Sequence, residues 1–484
     1  MLRYTLILLA LLVATTSAQA QDTTSHPTSD VRTDSKTPWA DTSARQRSEL
    51  EEYLKSTDWP IRVFGLLRLE RYSGAEVQKM LREMITDSAW QVRCFAIRQA
   101  FRADMTLSQA DLSPNENEAR VIRTALRHGI VIDNEVINRL ATKLLKTKNI
   151  DDMMLGIEIA AASGIDALKE RASKRVITLI RNMNDTVTVV VSKRLAALLG
   201  LPNKFSNARE WNQWLYTQPK TIIFPPIDIF KAQTKLELPT LVADMNVDTF
   251  AKLIDYMDSL KQRDLDLVIV MDATSSMIPM INQAREGVDA IIIFLNDISK
   301  TMRLAFVAYR DHDNKPVWEG HRFTNEVAPI RDFLFNLVIT GGADLPEAVL
   351  EGLSACRDLD WNPYATRQII LVGDARPHDA DMKKTLVIAD ECRENGLIVN
   401  VVHIPMKLSP QERPYASRQR HEAIARHNQL TSEAFEAIAN HGGGRKVTLG
   451  DTDQLVPSIM HSTLQEEWWP VFDEFYEMYT RLCR

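Results

Sequence analysis

The run from Leu265 to Met271 constrains this chain more than any other stretch, because it is apolar and β-branched and ends abruptly in Asp272-Ala273-Thr274-Ser275-Ser276. It is too short for an ordinary helix, and its composition reads as a strand buried on both faces. Asp272 then stands at the carboxyl end of that strand. In open α/β sheets ligands bind at that edge, so the loop 272–276 is placed for function and reads as a metal-binding loop.

From residue 264 onward, strand and helix patterns alternate. Strands are expected at 265–271, 303–309, 368–373, 397–404 and 445–449, with an edge strand at Val317 to Phe323. Helices are expected at 278–298, 327–338, 346–357, 380–395, 431–440 and 452–463. Alternation at this spacing implies a doubly wound, mostly parallel sheet with helices on both faces. The tail from Glu466 through Trp468-Trp469-Pro470 to Arg484 is aromatic-rich and reads as a packed helix, with Trp468 and Trp469 as buried anchors.

Upstream, the pattern is helical and repeats itself. Trp59-Pro60-Ile61-Arg62-Val63-Phe64-Gly65 aligns with Trp90-Gln91-Val92-Arg93-Cys94-Phe95-Ala96 at an offset of 31 residues. That period, with a small residue at the Gly65/Ala96 position, fits stacked two-helix units that bury their apolar faces against one another, and the units resemble HEAT-like repeats. Helical patterning continues weakly to Gly200, then stops near Trp211 and Trp214 and the segment Phe224-Pro225-Pro226. A non-repeating helical bundle is the alternative for this half. One further helix is expected at Val247 to Leu260.

Arg3, the apolar run Tyr4 to Ala14 and the small-x-small triplet Ala18-Gln19-Ala20 have the form of a secretory signal peptide, cleaved after Ala20. The apolar run is shorter than the roughly 20 residues that span a bilayer, and no later stretch reaches that length without charges, so no transmembrane segment is expected after cleavage. The expectation is a secreted or periplasmic protein. Residues 21–38 are rich in Ser, Thr and Asp and read as disordered. The chain thus divides into a signal peptide at 1–20, a disordered linker at 21–38, a HEAT-like helical domain at 39–220, a linker with one helix at 221–263, an α/β domain at 264–463 and an aromatic helix at 464–484.

A net charge of −6 and a pI near 6.0 give no global basic footprint, so nucleic acid is not an expected partner. The four cysteines, Cys94, Cys356, Cys392 and Cys483, lack CxxC spacing, which indicates neither a zinc site nor a dense disulfide framework. Cys94 and Cys356 read as core residues.

Three loops are expected to meet at the carboxyl edge of the sheet. They carry Asp272-x-Thr274-x-Ser276, then Thr340-Gly341-Gly342-Ala343-Asp344-Leu345-Pro346-Glu347, then Asp374-Ala375-Arg376-Pro377-His378. Hydroxyls and two or three carboxylates are the oxygen donors a hard divalent cation takes, and Mg²⁺ keeps waters in an octahedral shell.

This constellation resembles the von Willebrand factor A domain and its metal-ion-dependent adhesion site. The resemblance covers residues 264 to about 463. The phrases Phe306 to His312, Gly341 to Glu347 and Asp374 to His378 look like the subclass found in some atypical alpha-kinases. It implies Asp272, Thr274 and Ser276 as first-loop ligands, Asp374 as a direct or water-mediated ligand, and Mg²⁺, or Mn²⁺ or Ca²⁺, as the ion. The chain departs from the family at Ala343, where the usual middle-loop Thr falls, so Asp344 or Thr340 must substitute, with Asp344 preferred. An added carboxylate there would raise metal affinity while weakening the pull on an acidic ligand.

Other motifs are set aside. Asp272 and Thr274 would serve equally as helix caps if taken alone. Asp311, His312 and His378 read as supporting or turn residues, with His378 close enough in sequence to orient Asp374. His421 and His427 are six apart, not the four a zincin needs, and Gly442-Gly443-Gly444-Arg445 follows a helix instead of preceding one, as a phosphate loop would. No nucleophile elbow is present and nothing after 463 could hold a kinase domain. The resulting expectation is a non-enzymatic, exported adhesion or scaffold protein that engages a protein partner, through an acidic side chain of that partner. A Mg²⁺-dependent hydrolase or phosphotransfer enzyme, and a structural module with a vestigial site, are the alternatives.

Overall fold

A computed structural model describes residues 36–483, apart from 114–115, 202–204, 206, 219, 226–239, 342–345, 409–414 and 450–454. The expected leader at 1–20 and the linker as far as residue 35 lie outside the described residues. The last three linker residues are ordered: Lys36 Nζ donates to the Arg102 carbonyl at 2.8 Å, and Thr37–Pro38 pairs in parallel with Tyr72–Ser73.

The helical half is built from antiparallel pairs, Ala44–Leu54 with Trp59–Arg68 and Ala75–Ile85 with Trp90–Arg102, followed by Ala119–Arg127, Asn134–Leu145, Ile150–Ala162, Asp166–Arg181, Asp185–Leu198 and Ala208–Tyr216. Local chemistry starts several of them. Ser43 and Gln46 form a capping box, while Asn149, Asn184 and Asn207 accept from the amides of Asp152, Val187 and Glu210. At Gly156 an added Cβ would lie 2.7 Å from Leu144 Cβ, so the helix Ile150–Ala162 approaches its neighbour at a distance only glycine permits.

The repeated Trp-x-x-Arg phrase has a structural meaning beyond periodicity. Arg62 donates to the carbonyls of Ser56 and Thr57 in the turn before its helix and pairs with Asp87 at 2.9 Å. Arg93 repeats this one unit later, on the carbonyls of Asp87 and Ser88 and on Glu116 at 2.9 Å. Each arginine therefore satisfies backbone acceptors of its own turn and ties that turn to an acid of the following unit.

In the α/β half we number the sheet strands β1 (Asp264–Asp272), β2 (Thr301–Tyr309), β3 (Trp318–Thr324), β4 (Thr366–Gly373), β5 (Leu397–His403) and β6 (Gly443–Thr448). Their spatial order is β3-β2-β1-β4-β5-β6, parallel except for β3, which runs antiparallel on β2. From β1 the sheet therefore grows outward in both directions, and the β1/β4 junction is the topological switch point at which such sheets bind ligands. Val268, Ile269, Val270 and Met271 are buried, as a strand covered by helices on both faces requires.

Several helix ends differ from expectation. The helix expected at 346–357 is Val349–Arg357, because Glu347 is held in an extended bridge to Pro377. The helix expected at 431–440 is Arg418–His441. Its first half carries almost no apolar stripe, and its buried residues, Thr431, Phe435, Ile438 and Ala439, all lie in its second half.

The segment 221–263 contributes core: in the helix Val247–Lys261, Phe250, Leu253, Ile254 and Met257 are buried, and Arg68 donates to the carbonyls of Val242 and Ala243 at 2.9 Å each. The C-terminal helix Trp469–Cys483 lies between the two halves. Phe475 packs on Trp59, Phe64 and Phe95 of the helical half and on Phe294 of the helix Ile278–Ile298 in the α/β half, with ring centroids 4.9–6.2 Å apart. Arg123 Nη2 and Thr124 Oγ1 donate to the Leu482 carbonyl at 2.9 and 3.1 Å, satisfying the end of that helix. Arg123 also pairs with buried Glu158, whose carboxyl is lowered to about 2 by Arg194, Arg123 and Arg127 acting against the opposing effect of burial. All four cysteines are buried and unbridged.

Phe475→Ala should destabilise the whole chain, by about 3–5 kcal/mol, because it opens a void where both halves meet. Chemical denaturation followed by Trp fluorescence and by circular dichroism should show this loss. A variant with unchanged stability would contradict a shared core.

Candidate metal centre

Asp272 is the last residue of β1, level with Tyr309 at the end of β2, and Asp374 follows Gly373, the last residue of β4. Adjacent strand ends thus bring the two carboxylates together at the switch point. Both are buried, Asp272 at 0% and Asp374 at 3% exposure. Asp272 Oδ1 accepts from the Thr274 amide and from Thr274 Oγ1, each at 2.7 Å, and Thr274 Oγ1 lies 3.2 Å from the exposed Ser276 hydroxyl. The first loop thereby turns its oxygens toward one point.

Backbone bonds gather the other loops around it. The Thr340 amide donates to the Ala273 carbonyl at 3.3 Å, and the Ser275 amide to the Gly341 carbonyl at 3.4 Å. Glu347 N donates to Arg376 O at 3.0 Å, joining the middle loop to the third. Arg310, buried beneath them, donates to the Val338 and Pro316 carbonyls and pairs with Glu319. All three expected loops therefore meet. Thr340 lies on this edge with an exposed side chain, whereas Asp344 and Ala343 lie outside the described residues.

Two carboxylate oxygens in this cluster, Asp272 Oδ2 and Asp374 Oδ1, are buried without a hydrogen-bond partner among the described residues. Burial, and then the charge of Asp374, raises the Asp272 carboxyl to about 7. Burial also raises Asp374, against the opposing pull of Ser276 and His427. Such a pair is unfavourable as two free anions and is relieved by a proton or a cation. Carboxylates with a hydroxyl alongside are the hard oxygen donors that a small divalent cation takes, so Asp272, Ser276 and Asp374 fit one, with Thr274 fixing Asp272.

Three further neighbours, Tyr309, Glu347 and His427, carry no local sequence signal that marks them. Tyr309 is fully buried, and its hydroxyl has no partner among the described residues. Burial first, then Asp272, Glu347 and Asp374, keep that phenol protonated. Gly373 makes room for it, since an added Cβ would lie 2.6 Å from the Tyr309 hydroxyl. Glu347 is buried at the base of the middle loop. His427 reaches the Asp374 carbonyl with Nε2 at 2.8 Å from 53 residues away. The expectation that His378 orients Asp374 is replaced by this contact: His378 Nε2 bonds Asp311 Oδ1 at 2.7 Å.

A cation bound here would have to displace the proton shared by this pair, so Mg²⁺ affinity would fall roughly tenfold per pH unit below about 7. Calorimetric titrations on either side of neutrality would register it, and a flat profile would contradict it. The folded carboxyl also sits above its unfolded value, so the metal-free chain holds more protons folded than unfolded between about pH 4 and 7, and its stability should fall as pH rises through that window. Thermal melts in EDTA should show this slope for the natural chain and a shallower one for Asp272→Asn.

The von Willebrand factor A domain model matches residues 266–451. An alpha-protein kinase, vwkA, of Dictyostelium discoideum is 27% identical over 122 residues, covering 24% of this chain and 19% of that protein. A putative ariadne-like RING finger protein of Acanthamoeba polyphaga mimivirus is 26% identical over 209 residues, covering 40% of this chain. The chain therefore spans 19% of the length of each of these relatives. Among solved structures, an aerotolerance-related membrane protein from Bacteroides fragilis aligns with 41% of this chain and 98% of its own, at 14% identity and a TM-score of 0.29. This chain therefore carries a von Willebrand factor A domain over residues 266–451.

Proposed function

We propose that this protein is an exported, non-enzymatic binding protein whose A domain holds a divalent cation and presents it to a protein partner. The observation that carries this reading is the pair of buried carboxylate oxygens on Asp272 and Asp374 at the switch point, without a hydrogen-bond partner among the described residues. Asp272, Ser276 and Asp374 would hold the ion, with Thr340 or Asp344 as the middle-loop donor. When bound, a hard cation of this kind supplies an electrophilic position that an oxygen of another protein can occupy. The chain's own residues do the rest. Thr274 fixes the Asp272 carboxylate, His427 holds the backbone at Asp374, and the buried Tyr309 phenol offers a proton donor beside both.

A domains commonly mediate protein–protein interaction, and this supports a protein partner. No helix among the described residues is long and apolar enough to cross a membrane. The form of the leader supports export. The hydrolase alternative requires a general base near the ion, and its candidates in the sequence, Asp311 and His378, are hydrogen-bonded to each other at 2.7 Å.

Affinity capture from the native envelope or secretome in Mg²⁺ should recover a defined set of proteins that disappears in EDTA and with Asp272→Ala. The same set retained under both conditions would overturn the metal-bridged reading. Metal-dependent turnover of a phosphoester panel, lost with Asp374→Ala, would replace it with the enzymatic one.

A further inference from the structure

Beyond the carboxylate pair, a second group of ligating atoms converges at the same edge of the sheet. Asp311 and His312 follow β2, and His378 comes from the third loop. One ligating atom from each lies within 4.8 Å of the others. We propose that this group, completed by Glu351, is a second cation site, selective for a borderline transition metal of the Zn²⁺ class. It does not depend on the first site being occupied.

The donor set sets the selectivity. Two imidazoles with carboxylates suit Zn²⁺ and its neighbours, whereas an all-oxygen set suits Mg²⁺ and Ca²⁺. The imidazoles are already drawn together: the His312 and His378 rings stack with centroids 4.7 Å apart and planes 15° apart. Each faces a carboxylate, His378 Nε2 on Asp311 Oδ1 at 2.7 Å and His312 Nε2 on Glu351 Oε1 at 2.9 Å. Asp311 is buried and accepts the His312 amide at 2.7 Å, which fixes its carboxylate. The second oxygen of Glu351 is buried with no partner among the described residues, and it supplies an acceptor that the two hydrogen-bonded pairs leave unused.

The supporting frame comes from separate parts of the chain. The Ala348 amide donates to the Arg310 carbonyl at 3.0 Å, tying the helix that carries Glu351 to the loop that carries Asp311. Glu347 N on Arg376 O at 3.0 Å ties the same segment to the loop of His378. Tetrahedral Zn²⁺ places its ligand atoms about 3.3–3.5 Å apart. The ligating atoms of Asp311, His312 and His378, now within 4.8 Å of one another, would have to draw closer on binding, and His312 is the exposed member. Sequence spacing could not reveal this site, because 67 residues separate Asp311 from His378 and 39 separate His312 from Glu351.

The test is equilibrium dialysis of the full mature chain against Zn²⁺ in excess Mg²⁺. One Zn²⁺ per chain is expected, with affinity reduced at least tenfold in the His312→Ala/His378→Ala double variant and in the volume-conserving His378→Gln. Asp272→Asn should retain it. Circular dichroism and thermal melting report whether each variant is folded. Absence of stoichiometric Zn²⁺ on the natural chain, or its retention by the folded double variant, would overturn the proposal. Loss of Zn²⁺ with Asp272→Asn would also overturn it, because the ion would then occupy the first site.

Discussion

Two carboxylates, Asp272 and Asp374, are buried side by side at the ends of neighbouring strands, and much of the α/β half is organised around keeping them there. Burial disfavours each charge and the Asp374 carboxylate further disfavours that of Asp272, so the position is unfavourable without compensation. Hydrogen bonds from Thr274 compensate one oxygen of Asp272 and leave the other without a partner among the described residues. A hard cation would resolve what the protein's own donors leave unresolved. The surrounding loops are tied to one another through backbone amides, at Thr340, Ser275 and Glu347, so the carboxylates cannot simply swing out to solvent.

The helical half is joined to this site through shared packing. Phe475 and its aromatic neighbours fill the space between the repeat helices and the helix Ile278–Ile298, whose N-terminal turn follows the loop 272–276. Arg123, Thr124 and Arg127 hold the end of the same C-terminal helix by its carbonyls. The C-terminal helix therefore belongs to both halves, although its sequence suggests only a packed tail. The arginines that recur with the repeat, Arg62 and Arg93, perform the same pairing one unit apart, which is why the 31-residue offset is visible in sequence while later units, without that phrase, fade.

What the sequence makes legible follows from locality. The β-branched run into Asp272 announces a buried strand and its loop within ten residues, and alternation of strand and helix announces the switch point that brings Asp374 beside it. Tyr309, His427 and the Asp311–His378 contact depend on strand order and on residues far apart, and nothing in their local spacing marks them. The helix Arg418–His441 escapes detection in its first half because that half carries almost no apolar stripe, yet it is this half that carries His427 to the Asp374 carbonyl. The middle-loop donor hangs on whether Asp344 or Thr340 compensates for Ala343, a choice between neighbouring oxygens that residue type alone leaves open.

The most direct test is a crystal structure of the protein grown with Mn²⁺ and recorded at the manganese absorption edge. An anomalous peak in contact with the carboxylate oxygens of Asp272 and Asp374 and the hydroxyl of Ser276 is the result this account predicts. An empty position there at full Mn²⁺ loading, with the two carboxyl groups sharing a proton instead, would contradict it.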